Sequence, residues 1–211
     1  MRLFTALLPP DHVLDASGQL ADKVAELRAM DGAGQLRWTH RANWHITLAF
    51  YGEVGEGQLD GLRERLSRAA RRGRPLRLRI AGGGHFGHRS LWAAVTGAPA
   101  DTGGARSEAA GDEGHRPDGE GVRRLAATNA AAGRRVGLGT DEPRRFRAHL
   151  TLARSRSHPL DLRPYTAALD EFAGEPWTAG ELALVRSNLP DSGTPGDQPR
   201  YEQIAGWPLG G

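Results

Sequence analysis

The apolar positions of the chain change their spacing repeatedly, and each change predicts an element. Short apolar or alternating runs predict strands at 2–8, 36–38, 44–51, 76–81, 91–96, 147–153, 181–187 and 201–205. Apolar side chains at helical spacing predict helices over about 11–30, 58–72, 122–132 and 164–172. The Gly-rich segment 82–90 is predicted to be a loop that joins two strands. Alternating strands and helices favour a layered α/β or α+β fold.

Residues 98–120 depart from these patterns. They contain Gly, Pro, Asp and Glu and almost no large apolar side chain. Burial could not offset the entropy of ordering such a segment, so we predict a mobile, disordered surface insertion. The full 211 residues suit one domain, or one domain made of two similar lobes.

Composition removes several classes of chemistry. The chain has no Cys, which excludes disulfides, Cys-ligated zinc, iron–sulfur clusters and thiol catalysis. No apolar run approaches the roughly 20 residues of a membrane span, and the N-terminus has no cleavage site of the signal-peptide kind. We therefore expect a cytoplasmic protein without membrane contact.

The basic character of the chain is concentrated outside the predicted insertion. The formal net charge is only +3, and 27 of the 28 cationic side chains are Arg. Residues 101–120 carry a net charge of −4, which leaves +7 on the remainder. Because the Arg guanidinium matches phosphate geometry well, this balance is compatible with a phosphate-bearing ligand.

Two segments repeat one pattern. Residues 45–49 (HITLA) and 149–153 (HLTLA) lie 104 positions apart, about half the chain. Side chains alternate between the faces of a strand, so each copy would place an imidazole and a hydroxyl on one face. The apolar residues between them would anchor the other face. One such copy could simply be an amphipathic strand with a His on its wet face, but the matched pair favours a functional interpretation.

Two histidines across a cleft can perform complementary proton transfers. A neutral imidazole removes a proton from water, while a protonated imidazole gives one to a departing oxygen. On opposite sides of a phosphorus atom, such a pair suits in-line displacement at a phosphodiester. Neighbouring hydroxyls and an Arg could bind the phosphate oxygens, and this chemistry needs no metal.

At this point the chain resembles a known family. The tandem His-x-Thr-x motifs are similar to those of the 2H phosphoesterase superfamily. WHITLAFYGEV and FRAHLTLAR resemble the motif segments of its bacterial RNA 2′,3′-cyclic phosphodiesterase branch, also called 2′-5′ RNA ligases. The segments RLFTALLPP, GGGHFGHRSLWAAV and LVRSNLPDSG agree as well. The likeness covers nearly everything outside 98–120.

The resemblance implies a bilobal fold with two sheet-plus-helix lobes related by a pseudo-twofold axis around a central groove. It implies hydrolysis of an RNA or nucleotide 2′,3′-cyclic phosphate to a 2′-phosphomonoester, with no cofactor and no metal. By position, His45 matches the proton donor to the 3′ oxygen, and His149 matches the base that activates water. Thr47, Thr151 and Arg154 match phosphate-binding residues.

Other candidates and alternatives stay open at this point. Phe50 and Phe86 could stack on a base, although core packing explains each equally well. His85 and His88 have a spacing known from metal sites, but no third ligand lies nearby in the sequence. The substrates would be RNA ends or cyclic nucleotides, bound by a monomer. The alternative functions are a 2′-5′ RNA ligase for tRNA-half ends and a non-catalytic RNA-binding module, which would leave the His pair without a role.

Overall fold

A computed structural model describes residues 1–98, 117–139, 146–156, 159–189 and 198–211. Within these ranges the chain forms strands, helices and one short 3-10 helix (Arg41–Asn43). The strands are β1 (Arg2–Leu7), β2 (Leu36–Trp38), β3 (Ile46–Glu53), β4 (Leu76–Phe86), β5 (Ser90–Gly97), β6 (His149–Ser155), β7 (Trp177–Ala179), β8 (Glu181–Asn188) and β9 (Arg200–Pro208). The helices are α1 (Asp11–Asp15), α2 (Leu20–Met30), α3 (Glu56–Arg72), α4 (Pro117–Arg134) and α5 (Arg163–Asp170).

The strands form two antiparallel sheets, each the base of one lobe. Sheet A has the order β3-β1-β8-β9, and sheet B has the order β2-β6-β5-β4-β7. Helix α3 packs against α4 and β9, whereas α5 lies on β4 and β5 and contacts α2. Helix α4 contacts β3 of sheet A and also β4 and β5 of sheet B. The mixed α/β, two-lobed fold class is therefore confirmed.

The core is continuous through both lobes because each element turns one apolar face inward. Helix α3 buries Leu62, Leu66, Ala69 and Ala70, while Arg68, Arg71 and Arg72 are exposed on its outer face. Sheet A packs a second, smaller apolar cluster on its other face, formed by Phe4, Ala6, Ala183 and Val185. This smaller cluster faces the space between the two sheets.

The predicted helix over 11–30 is wrong in its middle. Helix α1 ends at Asp15 and α2 begins at Leu20. Between them Gly18 has a φ of +77°, a left-handed conformation that interrupts a helix. Gln19 is buried, and its side-chain oxygen accepts the backbone N–H of Glu175 at 2.8 Å. This contact with a distant segment holds Gln19 between the two helices, where one continuous helix was predicted.

The predicted Gly-rich loop is also wrong, because β4 continues through residues 82–86. Gly82, with a φ of +68°, lies at an irregularity in the pairing of β4 with β5. A Cβ atom on Gly83 would lie 2.5 Å from the Leu169 side chain, and one on Gly84 would lie 2.4 Å from the Trp92 indole. Because they have no Cβ, Gly83 and Gly84 let β4 pack closely against α5 and the Trp92 indole. A Gly-rich segment is also typical of a turn, and the sequence alone does not distinguish the two.

Most of the predicted insertion lies outside the described residues. Its last positions, 117–120, do not belong to a loop, because they form the first turn of α4. That helix therefore begins five residues before the predicted start at Val122. Among the helices of the described ranges, none is both long and apolar enough to cross a membrane.

Candidate active site

The two repeated motifs line one cavity between the sheets. His45 immediately precedes β3, and His149 is the first residue of β6. Both imidazoles, together with Thr47 and Thr151, border a cavity of about 310 Å³. The chain therefore brings together four side chains that lie in two distant segments of the sequence.

Burial of the intervening residues fixes this arrangement. Ile46, Leu150 and Leu152 are fully buried, and Leu48 is nearly so. The histidines and threonines are only half-buried. Each motif thus anchors its apolar face in the core and leaves its polar face on the cavity, as strand alternation predicts.

The two imidazoles are held by the same hydrogen bond. Nδ1 of His45 lies 2.7 Å from the carbonyl oxygen of Asn43, and Nδ1 of His149 lies 2.7 Å from that of Arg147. A carbonyl oxygen can only accept, so Nδ1 carries the proton in both rings. In the neutral imidazole, Nε2 is then the unprotonated nitrogen and is available for proton transfer.

Aromatic rings confine both imidazoles. The His45 ring lies 4.7 Å from Phe4 and 5.0 Å from Tyr201, between ring centroids. The His149 ring lies 5.1 Å from Phe86 and 5.8 Å from Trp92. Each imidazole therefore has a hydrogen bond on Nδ1 and two aromatic contacts, which limit its rotation.

Burial favours the neutral form of both histidines. It lowers the pKa of His45 to about 4, against the opposing effect of the Asn43 carbonyl, and the charge of nearby His149 lowers it further. The pKa of His149 is also lowered, by burial first and by the Arg154 charge last, while its carbonyl partner opposes the shift. In the free protein, these shifts favour the uncharged form of both rings.

A bulge follows the motif in β3. Ala6 of β1 is opposite Thr47, and the next residue back, Thr5, is opposite Ala49, so that Leu48 is the additional residue. The same irregularity occurs in β6. Trp92 is opposite Thr151, and Leu91 is opposite Ala153, so that Leu152 is additional. An extra residue in one strand shifts the alternation of its side chains by one position.

This shift brings a third residue of each strand to the cavity. Ala49 and Ala153 are buried, whereas Phe50 and Arg154, three residues after each Thr, line the cavity. Phe50 and Arg154 each lie five residues after their His, an odd number. Without the bulge, strand alternation would therefore turn both side chains away from the cavity. Both predicted candidates are therefore at the site, at equivalent positions of the two strands.

The cavity has a cationic lining. Arg2, Arg37 and Arg154 border it, and its lining within the described ranges includes no carboxylate. Nη1 of Arg154 donates to Ser90 Oγ at 3.1 Å. The Arg2 guanidinium lies 4.9 Å from the centre of the Phe50 ring, in cation–π geometry. The site is built for an anion with an aromatic surface beside it.

Phe86 has a different position from Phe50. It is 43% exposed and contacts the rings of His149 and Trp92, but it does not border the cavity. The rings of His85 and His88 lie 5.3 Å apart. In the described part of the chain, no three His, Asp or Glu side chains are grouped so that they could hold a metal ion.

Sequence reasoning missed several residues of the cavity wall, among them Arg2, Arg37 and Tyr201. Arg37 lies on the short strand β2, and alternation within 36–38 could have indicated its exposed face. Arg2 and Tyr201 come from the first and last strands, which meet the motifs only through the order of sheet A. No local pattern marks either residue.

Comparisons with known proteins identify the family of this chain. The model of the LigT-like phosphoesterases matches residues 13–92. A Thermus thermophilus RNA 2′,3′-cyclic phosphodiesterase is 32% identical over 200 residues, which cover 92% of this chain and 85% of that protein. The enzyme of that name from Geobacillus stearothermophilus is 30% identical over 82% of this chain, but the chain spans only 47% of its length. The chain belongs to the LigT-like family of RNA 2′,3′-cyclic phosphodiesterases.

Solved structures share the fold. A crystal structure of a protein from Thermus thermophilus superposes with a TM-score of 0.69 at 24% identity, covering 100% of this chain and 99% of that one. Escherichia coli LigT complexed with 3′-AMP gives a TM-score of 0.64 at 20% identity, covering 99% and 97%. Because these matches cover nearly the whole chain, they show that the two sheets and their helices have the same fold as in these structures.

Proposed function

We propose that this chain hydrolyses the 2′,3′-cyclic phosphate of an RNA end or nucleotide to a 2′-phosphomonoester. One observation carries the proposal: two imidazoles, each with Nδ1 bonded to the carbonyl two residues earlier, border one cationic cavity. The names of the relatives point to the same activity.

The step uses both histidines. Nε2 of His149 takes a proton from water as the water oxygen attacks phosphorus. The bond between phosphorus and the 3′ oxygen breaks, and His45 gives its proton to that oxygen. The product carries a 2′-phosphomonoester and a free 3′ hydroxyl. Solvent then returns the pair to its initial protonation.

The cavity supplies charge for this step. Thr47 and Thr151 donate hydrogen bonds to the non-bridging oxygens, and Arg154 balances the phosphate charge. His45 must be protonated, although burial keeps its pKa low in the free protein. A bound phosphate places a negative charge beside the ring and raises that pKa, so substrate binding recruits the proton that the reaction needs.

The base is bound by Phe50. Its ring faces the cavity with the Arg2 guanidinium over it, so a base would add to an existing stack. Phe86 contacts His149 instead and acts on the orientation of that ring. In this proposal, Phe50 is a binding residue and Phe86 is a positioning residue.

All of these side chains belong to one chain, which supports a monomer as the working unit. A cytoplasmic location and a metal-free reaction stay predictions from the sequence. Chelation tests the second: activity should be unchanged after EDTA treatment. A loss that zinc or manganese reverses would contradict the proposed mechanism.

The decisive experiment is incubation of the purified protein with adenosine 2′,3′-cyclic phosphate, with the product isomer identified by chromatography. We expect the 2′-phosphate alone, because His45 is the donor to the 3′ oxygen. The 3′-phosphate would reverse the assignment of the leaving oxygen. Absence of turnover, with binding retained, would favour the ligase or RNA-binding alternatives.

A further inference from the structure

Two arginines stand side by side in the wall of the cavity. In the pairing of β2 with β6, Arg37 is directly opposite Arg154, and both side chains border the cavity. Like charges directly opposite on neighbouring strands destabilise a sheet. An anion between or beside them would remove that cost.

The surroundings of Arg37 do not neutralise it. Within the described residues, Arg37 forms no ion pair, whereas nearby Arg41 pairs with Asp11 and Asp15. The cavity lining of those residues is free of carboxylates. Arg37 is therefore an available cation at a site that already has Arg154 for the scissile phosphate.

The position of Arg37 separates it from the reacting phosphorus. Arg154 lies on β6, the strand that carries His149 and Thr151, and its charge acts on His149. Arg37 lies on β2, the edge strand of sheet B, and thus about 4.8 Å further out. A phosphate held by both histidines is near Arg154, and an anion next to Arg37 lies further along the cavity.

The edge that carries Arg37 is fixed against the opposite lobe. Gln198, just before β9, donates from Nε2 to the Trp38 carbonyl at 2.7 Å and accepts the backbone N–H of His40 at 2.9 Å. These bonds hold β2 beside the cavity. The backbone that carries the second cation is therefore held in the wall of the cavity.

Resting on the proposed function, we propose that Arg37 binds a second phosphate of the substrate, the one attached to the 5′ oxygen of the terminal nucleoside. The substrate class is then an RNA end, in which a phosphodiester precedes the cyclic phosphate. A cyclic mononucleotide without a 5′-phosphate fills only the inner position.

Three substrates test this subsite: adenosine 2′,3′-cyclic phosphate, the same compound with a 5′-phosphate, and a diadenylate that ends in a 2′,3′-cyclic phosphate. We expect kcat/KM of the parent protein to be on the order of tenfold higher for both substrates with the second phosphate, through one charge-assisted contact. A gain for the dinucleotide alone would assign the preference to the second nucleoside and overturn the proposal.

The variant Arg37→Gln should remove this preference. We expect about a tenfold loss of kcat/KM on the two substrates with the second phosphate and a clearly smaller loss on the cyclic mononucleotide. Its kcat/KM on the dinucleotide should also depend less steeply on salt concentration, because one charge–charge contact that salt screens is lost. Arg123→Gln is the matched control, because Arg123 is exposed on α4 outside the cavity.

The outcomes separate this inference from the proposed function. If no substrate is hydrolysed by the parent protein, the proposed function itself fails. If all three are hydrolysed and Arg37→Gln loses activity equally on each, Arg37 serves the scissile phosphate and the subsite is wrong. Equal turnover of the three substrates, unchanged by the substitution, would also overturn it.

Discussion

The motif strands of the two lobes have the same backbone and different chemistry. At the start of β3 and of β6, a half-buried His and Thr are followed by a bulge, a buried Ala and then a residue that faces the cavity. That last residue is Phe50 in one lobe and Arg154 in the other. A symmetric scaffold thus places a ring on one side and a cation on the other, which suits a nucleotide with its base at one end and its phosphate at the other.

The surroundings of the two histidines extend the comparison. Phe4 and Tyr201, which confine His45, both come from sheet A. Phe86 and Trp92, which confine His149, both come from sheet B. Each lobe therefore orients its own imidazole with rings from its own sheet. The acid and the base can then be altered one at a time.

Removal of either histidine should have the largest effect. We expect His45→Ala and His149→Ala each to lower kcat on a 2′,3′-cyclic nucleotide by about 10³-fold, since each ring carries one proton transfer. Steady-state kinetics measures this loss. His12→Ala is the matched control, because His12 is exposed on α1. Near-parental turnover in either variant, with an unchanged Tm, would contradict the acid–base pair.

Arg154 should come next. We expect Arg154→Gln to lower kcat/KM by about 10²-fold, because a charged donor to the phosphate in a partly enclosed site is lost. The loss should be equal for adenosine and uridine cyclic phosphates, since the cation does not contact the base. Arg156→Gln removes the same charge just beyond β6, outside the cavity, and should be nearly neutral. Equal losses in the two variants would show a general effect of charge.

The pH dependence tests whether the pair acts as a unit. The reaction needs one proton, on His45, with His149 neutral. Burial lowers the pKa of both rings in the free protein, to about 4 for His45, so near neutral pH neither ring holds a second proton and kcat/KM should fall by up to tenfold per pH unit. Bound phosphate raises these pKa values, so the basic limb of kcat should lie at higher pH than that of kcat/KM.

Rate measurements from pH 4 to 9 at saturating and at low substrate separate the two limbs. Apparent pKa values from such profiles belong to the pair and not to a single ring. The same basic limb for kcat and kcat/KM would mean that the phosphate does not recruit the proton. Loss of the basic limb in both would remove His45 as the acid.

The sequence predicted which motif side chains lie on the cavity better than it predicted the rest of the cavity lining. The repeat at 45–49 and 149–153 identified His45, His149 and both threonines because strand alternation is a local rule. Apolar periodicity also predicted the order of most elements, because it decides which face of a strand or helix is buried. Arg154 was named only through the family resemblance, because its place on the cavity depends on a bulge that shifts the alternation.

The failures share a physical cause. Gly83 and Gly84 have the composition of a turn, and only the approach of Leu169 and Trp92 shows why they lie in a strand. Tyr201 comes to His45 because β9 is the far strand of sheet A and its side chain reaches back over the cavity. Contacts between distant strands depend on the topology of the sheet, which local sequence patterns do not predict.

The smallest effect should come from the two phenylalanines, and it differs in kind between the lobes. Phe50→Leu should raise KM for adenosine 2′,3′-cyclic phosphate by a few-fold with kcat unchanged, because a stacking surface worth about 1 kcal/mol is lost. Phe86→Leu should leave KM unchanged and lower kcat by a few-fold, because the ring contacts His149 and lies outside the cavity. Kinetics on both variants, with Tm as a measure of folding, checks the pair. If the two substitutions gave the same split between KM and kcat, the assignment of Phe50 to base binding and of Phe86 to the orientation of His149 would be wrong.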